Sequence, residues 1–68
     1  EHISSIENYT KAIDLYPYMG DAYFNRGLVL IYLKDKEKGC IDLSRAGELG
    51  VEEAYGVIKK YCEEKNNE

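Results

Sequence analysis

The residues of this chain that could bind a metal are few and far apart. The two cysteines, Cys40 and Cys62, stand alone, and the single histidine, His2, lies at the start of the sequence. Structural zinc takes four convergent Cys or His ligands, usually supplied as closely spaced pairs, and no such pair occurs here. We therefore expect no metal site and no other cofactor.

The residues that could catalyse a reaction are equally dispersed. Nucleophilic catalysis by serine needs a base within hydrogen-bond reach. The only histidine that could act as a base for Ser4, Ser5 or Ser44 is His2, at the start of the sequence. The carboxylates are scattered rather than paired. The sequence predicts a protein that is not an enzyme. An enzyme is the competing hypothesis, and a turnover abolished by one point mutation would establish it.

Neither the charge pattern nor the longest apolar run favours a nucleic-acid or membrane partner. The net charge is −4, and nucleic-acid-binding domains carry a basic stripe. The only candidates, Lys34, Lys36 and Lys38, alternate with acidic residues in a predicted turn, as in a solvated mixed-charge loop. The apolar run 28–33 is far shorter than the roughly 20 residues that cross a bilayer. We expect neither partner.

The elements that would position any site are helical. Four segments place their apolar residues at helical spacing. They are residues 2–16, 20–33, 36–48 and 51–65. Pro17 ends the first segment because proline cannot donate a helical hydrogen bond, and Gly50 ends the third because glycine favours helix C-termini. No stretch alternates with a period of two, so we expect an all-α fold of four helices.

The second segment is the most informative of the four. It is apolar on three faces, which predicts a helix packed between neighbours. A narrow strip remains at steps of four, three and four residues: Asp21, Asn25, Leu28 and Tyr32. Polar groups beside large apolar side chains are the composition of a contact surface. An ordinary solvated face with isolated apolar residues would have the same pattern, so this alternative stays open.

One stretch of the sequence occurs twice. Residues 8–15, NYTKAIDL, recur as DLSRAGEL at 42–49, with apolar, hydroxyl, basic, small, acidic and leucine positions in the same order. A period of about 34 residues is typical of helix–turn–helix units that stack into α-solenoids. Small residues at Gly27 and Ala46, and at Ala12 in the earlier unit, would then allow the helices of one hairpin to cross closely.

The stretch DAYFNRGLVLIYLKDKEKGCIDLSRAGEL resembles a tetratricopeptide repeat (TPR). The recurring positions of that family fall on Tyr23, Gly27, Leu30, Gly39, Leu43 and Ala46. Tyr9 and Ala12 match the second helix of a preceding repeat. Two departures are notable: Arg26 replaces a leucine, which makes its packing face partly polar, and glycine rather than alanine at 39 weakens the third helix by up to about 1 kcal/mol.

The resemblance covers residues 1–68 as a single TPR-like fragment of a longer protein. Residues 1–17 match the second helix of a preceding repeat, 20–50 match one full repeat, and 51–65 match the C-terminal capping helix of bacterial TPR proteins. It implies a right-handed α-solenoid of antiparallel helix hairpins. It also implies a non-catalytic scaffold that binds a peptide or a partner helix on its concave face.

The residues that the resemblance places on this concave face are Asp21, Phe24, Asn25, Leu28 and Tyr32. Asn25 stands where some TPR proteins hydrogen-bond the backbone of their ligand. The clamp that other TPR proteins use for carboxylates needs several basic residues on first helices, whereas Asp21 and Glu53 face that side here. We therefore expect Asp21 to favour basic ligands.

A third hypothesis is self-association without a peptide ligand. Because the fragment begins within a repeat, Ile3 and Ile6 would face a missing helix, and an exposed apolar face of this kind invites pairing with a second copy. Light scattering of the fragment and of the full-length protein would distinguish an oligomerisation role from an effect of truncation.

The two cysteines are expected to lie close together. If the third and fourth helices run antiparallel, Cys40 and Cys62 reach similar heights on either side of Gly50. A disulfide needs Cα atoms within about 7 Å and convergent Cβ vectors, which the spacing alone does not guarantee, and it would indicate an oxidising compartment. We expect reduced thiols that act as small packing residues, and hence a cytoplasmic protein.

Overall fold

The computed structural model describes residues 2–63. They form four helices: α1 (His2–Leu15), α2 (Gly20–Tyr32), α3 (Lys36–Glu48) and α4 (Glu53–Tyr61). This part of the chain contains no strand, so the predicted all-α class with four helices is confirmed. The first three helices match their predicted bounds to within one residue. The fourth begins later than predicted and ends at Tyr61, and its predicted end at Lys65 lies outside the described residues.

Neighbouring helices pack in chain order. α2 packs against both α1 and α3, and α4 packs against α3. The centre of the core consists of Leu43, Ala46 and Ala54, all with no exposed surface. Apolar residues of α2 and α4, together with Val51 from the turn before α4, cover this centre from the sides. α2 therefore packs between two neighbouring helices, as its three apolar faces predicted. None of the described helices is both long enough and apolar enough to cross a membrane.

Two glycines allow α2 and α3 to cross closely. A Cβ atom added at Gly27 would lie 2.9 Å from Cγ of Leu43 and 3.0 Å from the carbonyl oxygen of Gly39. A Cβ added at Gly39 would lie 2.9 Å from the carbonyl oxygen of Gly27. Gly27 therefore faces the third helix, as predicted. The contact also explains the departure at Gly39, because an alanine there would push the two backbones apart.

α2 and α3 end in the same type of turn. A residue with positive φ follows each helix, and the backbone N–H of the next residue donates to a carbonyl of the last helical turn. The donor is Asp35 in one turn, at 2.9 Å, and Val51 in the other, at 3.0 Å. These bonds form the Schellman motif, which favours glycine at the positive-φ position. Gly50 occupies it after α3 (φ 103°), whereas Lys34 occupies it after α2 (φ 72°).

A disulfide joins α3 to the end of α4. The Cα atoms of Cys40 and Cys62 are 6.1 Å apart and their sulfur atoms are bonded. The two cysteines do lie close together, but the expectation of reduced thiols is wrong for this structure, since neither cysteine is free. The physical reason is the rotation of α3 and α4, which turns the two cysteine side chains toward each other, in addition to the antiparallel packing that was expected. That packing sets the start of one helix beside the end of the other, within the range that a disulfide spans.

Candidate functional site

The predicted contact residues lie along one side of α2 and are called here the α2 strip: Asp21, Phe24, Asn25, Leu28 and Tyr32. Asp21 and Tyr32 are exposed, Tyr32 to 68%, and the three residues between them are half-buried. Phe24 and Leu28 also pack against the core cluster. These two residues therefore stabilise the fold as well as contributing surface to the strip.

The C-terminal half of the strip opens into a groove that the sequence analysis did not predict. A cavity of about 620 Å³ is lined by Leu28, Ile31, Tyr32, Lys34 and Tyr61. A smaller one of about 290 Å³ shares three of these residues and adds Lys36. We refer to the two together as the α2–α4 groove. Its floor is aliphatic, and tyrosines from two different helices contribute to its sides.

Tyr61 is the groove residue that sequence reasoning missed, although a signal for it existed. The antiparallel arrangement that was expected to bring Cys62 beside Cys40 also brings the preceding residue to the end of α2. The disulfide now defines that arrangement. Tyr61 is 41% exposed, and the ammonium nitrogen of Lys60 lies 5.3 Å from the centroid of its ring. A cation at this distance interacts favourably with the face of the ring.

The charges along the α2 strip are separated by sign. The groove at its C-terminal end is lined by Lys34 and Lys36, and no carboxylate lines it in the described part of the chain. Asp21 lies in the first turn of α2. At 1.5 Å per helical residue, Asp21 is about 18 Å from the lysine end. The strip therefore begins at an acidic residue and ends at a groove lined by lysines.

A second polar cluster lies on the opposite side of the crossing and has a structural role. Nε of Arg26 donates to Oδ2 of Asp42 at 2.7 Å and its Nη2 donates to Oδ1 at 3.0 Å, while Nη1 donates to the hydroxyl of Thr10 at 3.0 Å. The side chains of Arg26 and Asp42 are 21% and 8% exposed. One guanidinium thus links α1, α2 and α3. Its three hydrogen bonds satisfy the polar group that Arg26 places on an otherwise apolar packing face.

The hydrogen bond from Asp42 raises the pKa of Arg26 above its ordinary value, so the guanidinium is charged throughout the pH range in which proteins fold. Arg26 also lies 5.8 Å from the ring centroid of Tyr23, and Arg45 approaches the same ring to 5.9 Å. Two guanidinium groups therefore lie near the ring of Tyr23. A hydrogen bond with Tyr23, followed by one with Glu48, raises the pKa of Arg45.

The residues predicted to pack are distributed between the core and its edges. Gly27, Leu30, Leu43 and Ala46 are buried, whereas Tyr9, Ala12 and Tyr23 are half-buried. No group of three metal-ligating side chains occurs within residues 2–63, and the side chain of His2 lies outside the described part. No protein-family model, curated protein or solved structure matches this chain.

Proposed function

We propose that this protein is a non-catalytic interaction module that binds a peptide or a partner helix along the α2 strip. The observation that carries the proposal is the α2–α4 groove. It is concave, its floor is aliphatic, and the exposed ring of Tyr32 stands at its edge. Binding sites are typically concave and mostly apolar with a few polar groups, and tyrosine is among the residues favoured as anchors.

The TPR-like arrangement remains the architecture that we propose. The recurring pattern in α1 and α3, the antiparallel neighbours and the glycine crossing at Gly27 all support it. In this arrangement residues 1–17 complete a preceding repeat, 20–50 form one repeat and 51–65 cap the array. The α2 strip would then belong to the concave face of a right-handed solenoid.

Each residue of the strip has a distinct task in this proposal. Asn25 is half-buried, and its amide offers a donor and an acceptor to the backbone of a ligand. Tyr32 anchors the ligand through its ring. Phe24 and Leu28 supply the apolar surface of the strip, and Asp21 favours a basic ligand residue at the N-terminal end of α2.

Binding by variants of the strip would test this function. Peptides selected from a display library of short random peptides would be titrated against wild-type protein, Tyr32→Ala and Asn25→Ala. Truncation of an anchoring aromatic weakens binding by more than about 1 kcal/mol, or roughly fivefold to tenfold. Tyr18→Ala is the matched control, because Tyr18 is 80% exposed in the turn between α1 and α2. Wild-type affinity in both strip variants, with the helical circular dichroism unchanged, would refute the proposal.

Self-association is a second candidate, favoured by two exposed isoleucines. Ile3 on α1 is 69% exposed and Ile41 on α3 is 63% exposed. Ile6 and Ile41 also line a cavity of about 290 Å³ beside the Arg26–Asp42 pair. Light scattering across a concentration series, with Ile41→Lys as the variant, would distinguish a dimer built on this face from a monomer that binds peptides.

The disulfide changes the compartment that we propose. The cytoplasmic expectation depended on reduced thiols, whereas disulfides form and persist mainly in oxidising environments. The Cys40–Cys62 bond therefore favours an oxidising compartment. The absence of a catalytic role and of nucleic-acid or membrane partners remains part of the proposal.

A further inference from the structure

We propose that the α2–α4 groove selects acidic peptides. In this proposal an apolar ligand side chain inserts between Tyr32 and Tyr61, and a flanking carboxylate contacts Lys34. The inference rests on the proposed function and narrows it, since it specifies the sign of the ligand charge and the end of α2 at which that charge lies.

The shape of the groove specifies an apolar anchor. Leu28 and Ile31 form an aliphatic floor, and both pack against the core, so the floor is held in place by the fold itself. The rings of Tyr32 and Tyr61 are 68% and 41% exposed and come from different helices. A leucine or an aromatic side chain would cover apolar surface on the floor and on both rings.

The charges around the groove specify acidic neighbours for that anchor. Lys34 and Lys36 line it, and Lys60 lies over the ring of Tyr61. No acidic side chain among the described residues lines the groove, although the chain as a whole carries a net charge of −4. Asp35, next to Lys34, caps α3 and pairs with Lys38 at 4.0 Å, whereas the side chain of Lys34 lines the groove, where its ammonium charge attracts carboxylates and repels a basic segment.

The backbone at Lys34 supports a role for its ammonium group. Lys34 has a φ of 72°, in the region that glycine adopts without a steric penalty, and Gly50 occupies the equivalent position after α3. A lysine therefore stabilises this turn less than a glycine would. Residues held in such conformations concentrate at functional sites, and the side chain of this one lines the groove.

The separation of charge along the strip also specifies a direction. About 18 Å lies between Asp21 and the lysines, a length that five or six extended residues span at roughly 3.3 Å each. A peptide in the strip would place its acidic segment against Lys34 and could carry a basic residue beside Asp21. The earlier expectation of basic ligands then applies to the Asp21 end alone.

The probe for this inference is a display library of short random peptides, selected against the disulfide-bonded protein at low ionic strength. We expect enrichment of Asp and Glu next to Leu or an aromatic residue. Lys34→Glu should weaken the selected peptides by roughly fivefold to tenfold, and added salt should reduce the difference because exposed charges are screened. Lys34→Gln should have a smaller effect. Lys11→Glu on the exposed side of α1 makes the same charge change away from the groove and should bind within about twofold of wild type.

The outcomes separate this inference from the proposed function. Peptides that need Tyr32 and Asn25 but show no acidic preference would overturn the inference and leave the function intact. Equal effects of Lys34→Glu and Lys11→Glu would also overturn it. If no selected peptide depends on the strip, both fail. Tighter binding of a short single-stranded DNA than of acidic peptides, lost in Lys34→Glu, would replace the peptide by a nucleic acid. Reversal of the preference toward basic peptides in Lys34→Glu would be the strongest support.

Discussion

The two helix pairs that meet on α3 are held together in different ways. Between α2 and α3, the glycines bring the two backbones close together, and the Arg26–Asp42 pair lies beside the crossing. Between α3 and α4, the ring of Tyr55 covers Gly47, so that a Cβ atom added at Gly47 would lie 2.6 Å from the ring. A disulfide joins the other ends of these two helices. The first pair depends on steric fit and the second on a covalent bond.

The length of α4 explains this difference. α4 has only nine residues, and isolated helices shorter than about 12 residues are marginal in water. α2 has thirteen residues and neighbours on two sides, so packing alone can hold it. The comparison predicts that larger side chains at the glycine crossing destabilise the α2–α3 pair, whereas reductants destabilise the α3–α4 pair.

The largest effect is expected from Gly27→Leu. The added side chain has no room against Leu43 and the backbone at Gly39, and overpacking at a backbone crossing should exceed the usual 1–3 kcal/mol and reach about 4 kcal/mol or more. The domain should lose its cooperative melting transition by circular dichroism. Gly56→Leu is the control, because no atom lies within 4 Å of a Cβ built there. A wild-type melting curve for Gly27→Leu would contradict the close crossing.

Removal of the disulfide is expected to have the next largest effect. The bond closes a separation of 22 residues, for which the chain-entropy relation predicts a loss of about 3 kcal/mol in the free energy of unfolding. Reductant and the double variant Cys40→Ala/Cys62→Ala should both lower stability in urea titrations, and reductant should not affect the double variant. Thiol counting on native protein purified without reductant should find no free thiol, and two free thiols would show that α4 is held by packing alone.

Asp42→Ala is expected to destabilise the α2–α3 pair by about 2 kcal/mol. It leaves the guanidinium of Arg26 without its carboxylate, but because that group is partly exposed the loss is below the 3–5 kcal/mol of a fully buried pair. Urea titration would measure it against Glu7→Ala, an exposed carboxylate on α1. The double change Arg26→Leu/Asp42→Ala should recover stability. Equal losses for Asp42→Ala and Glu7→Ala would mean that the ion pair contributes nothing.

The smallest effect is expected at the turn after α2. Lys34→Gly removes a side chain from a positive-φ position and should raise the free energy of unfolding by about 0.5–1 kcal/mol, while it weakens acidic peptides. Gly50→Lys makes the reverse change after α3 and should lower stability by about 1 kcal/mol. Thermal melting of both variants would test the comparison. A loss of stability in Lys34→Gly would show that the lysine side chain itself holds the turn.

The helices were predictable because their signals are local. Pro17 and Gly50 mark helix ends through backbone chemistry, and the apolar spacing marks the faces. Gly27 was also predictable, since a small residue on an apolar face indicates a close approach. The turn after α2 was predicted, but its positive φ was not, because a lysine at position 34 gives no sign of that conformation.

The site was less predictable because its parts come from different helices. The strip on α2 follows from spacing within one helix, but the groove also needs Tyr61, whose position depends on how α4 packs. Asp42 lies on α3 where nothing in the sequence marks it as the partner of Arg26. The disulfide shows the same limit: spacing brought Cys40 and Cys62 to one height, whereas the direction of their Cβ vectors depends on helix rotation.

The Cys40–Cys62 bond makes residues 40–62 a closed covalent ring, with most of α3 and all of α4 in its circumference. A protease that cuts the exposed Gly50 in the turn between them would open the ring without releasing either helix. The nicked protein would migrate as one species on a gel until it is reduced, and would then separate into two fragments. Tyr61 would therefore stay tethered to α3, at the wall of the groove, after the chain beside Gly50 has been cut.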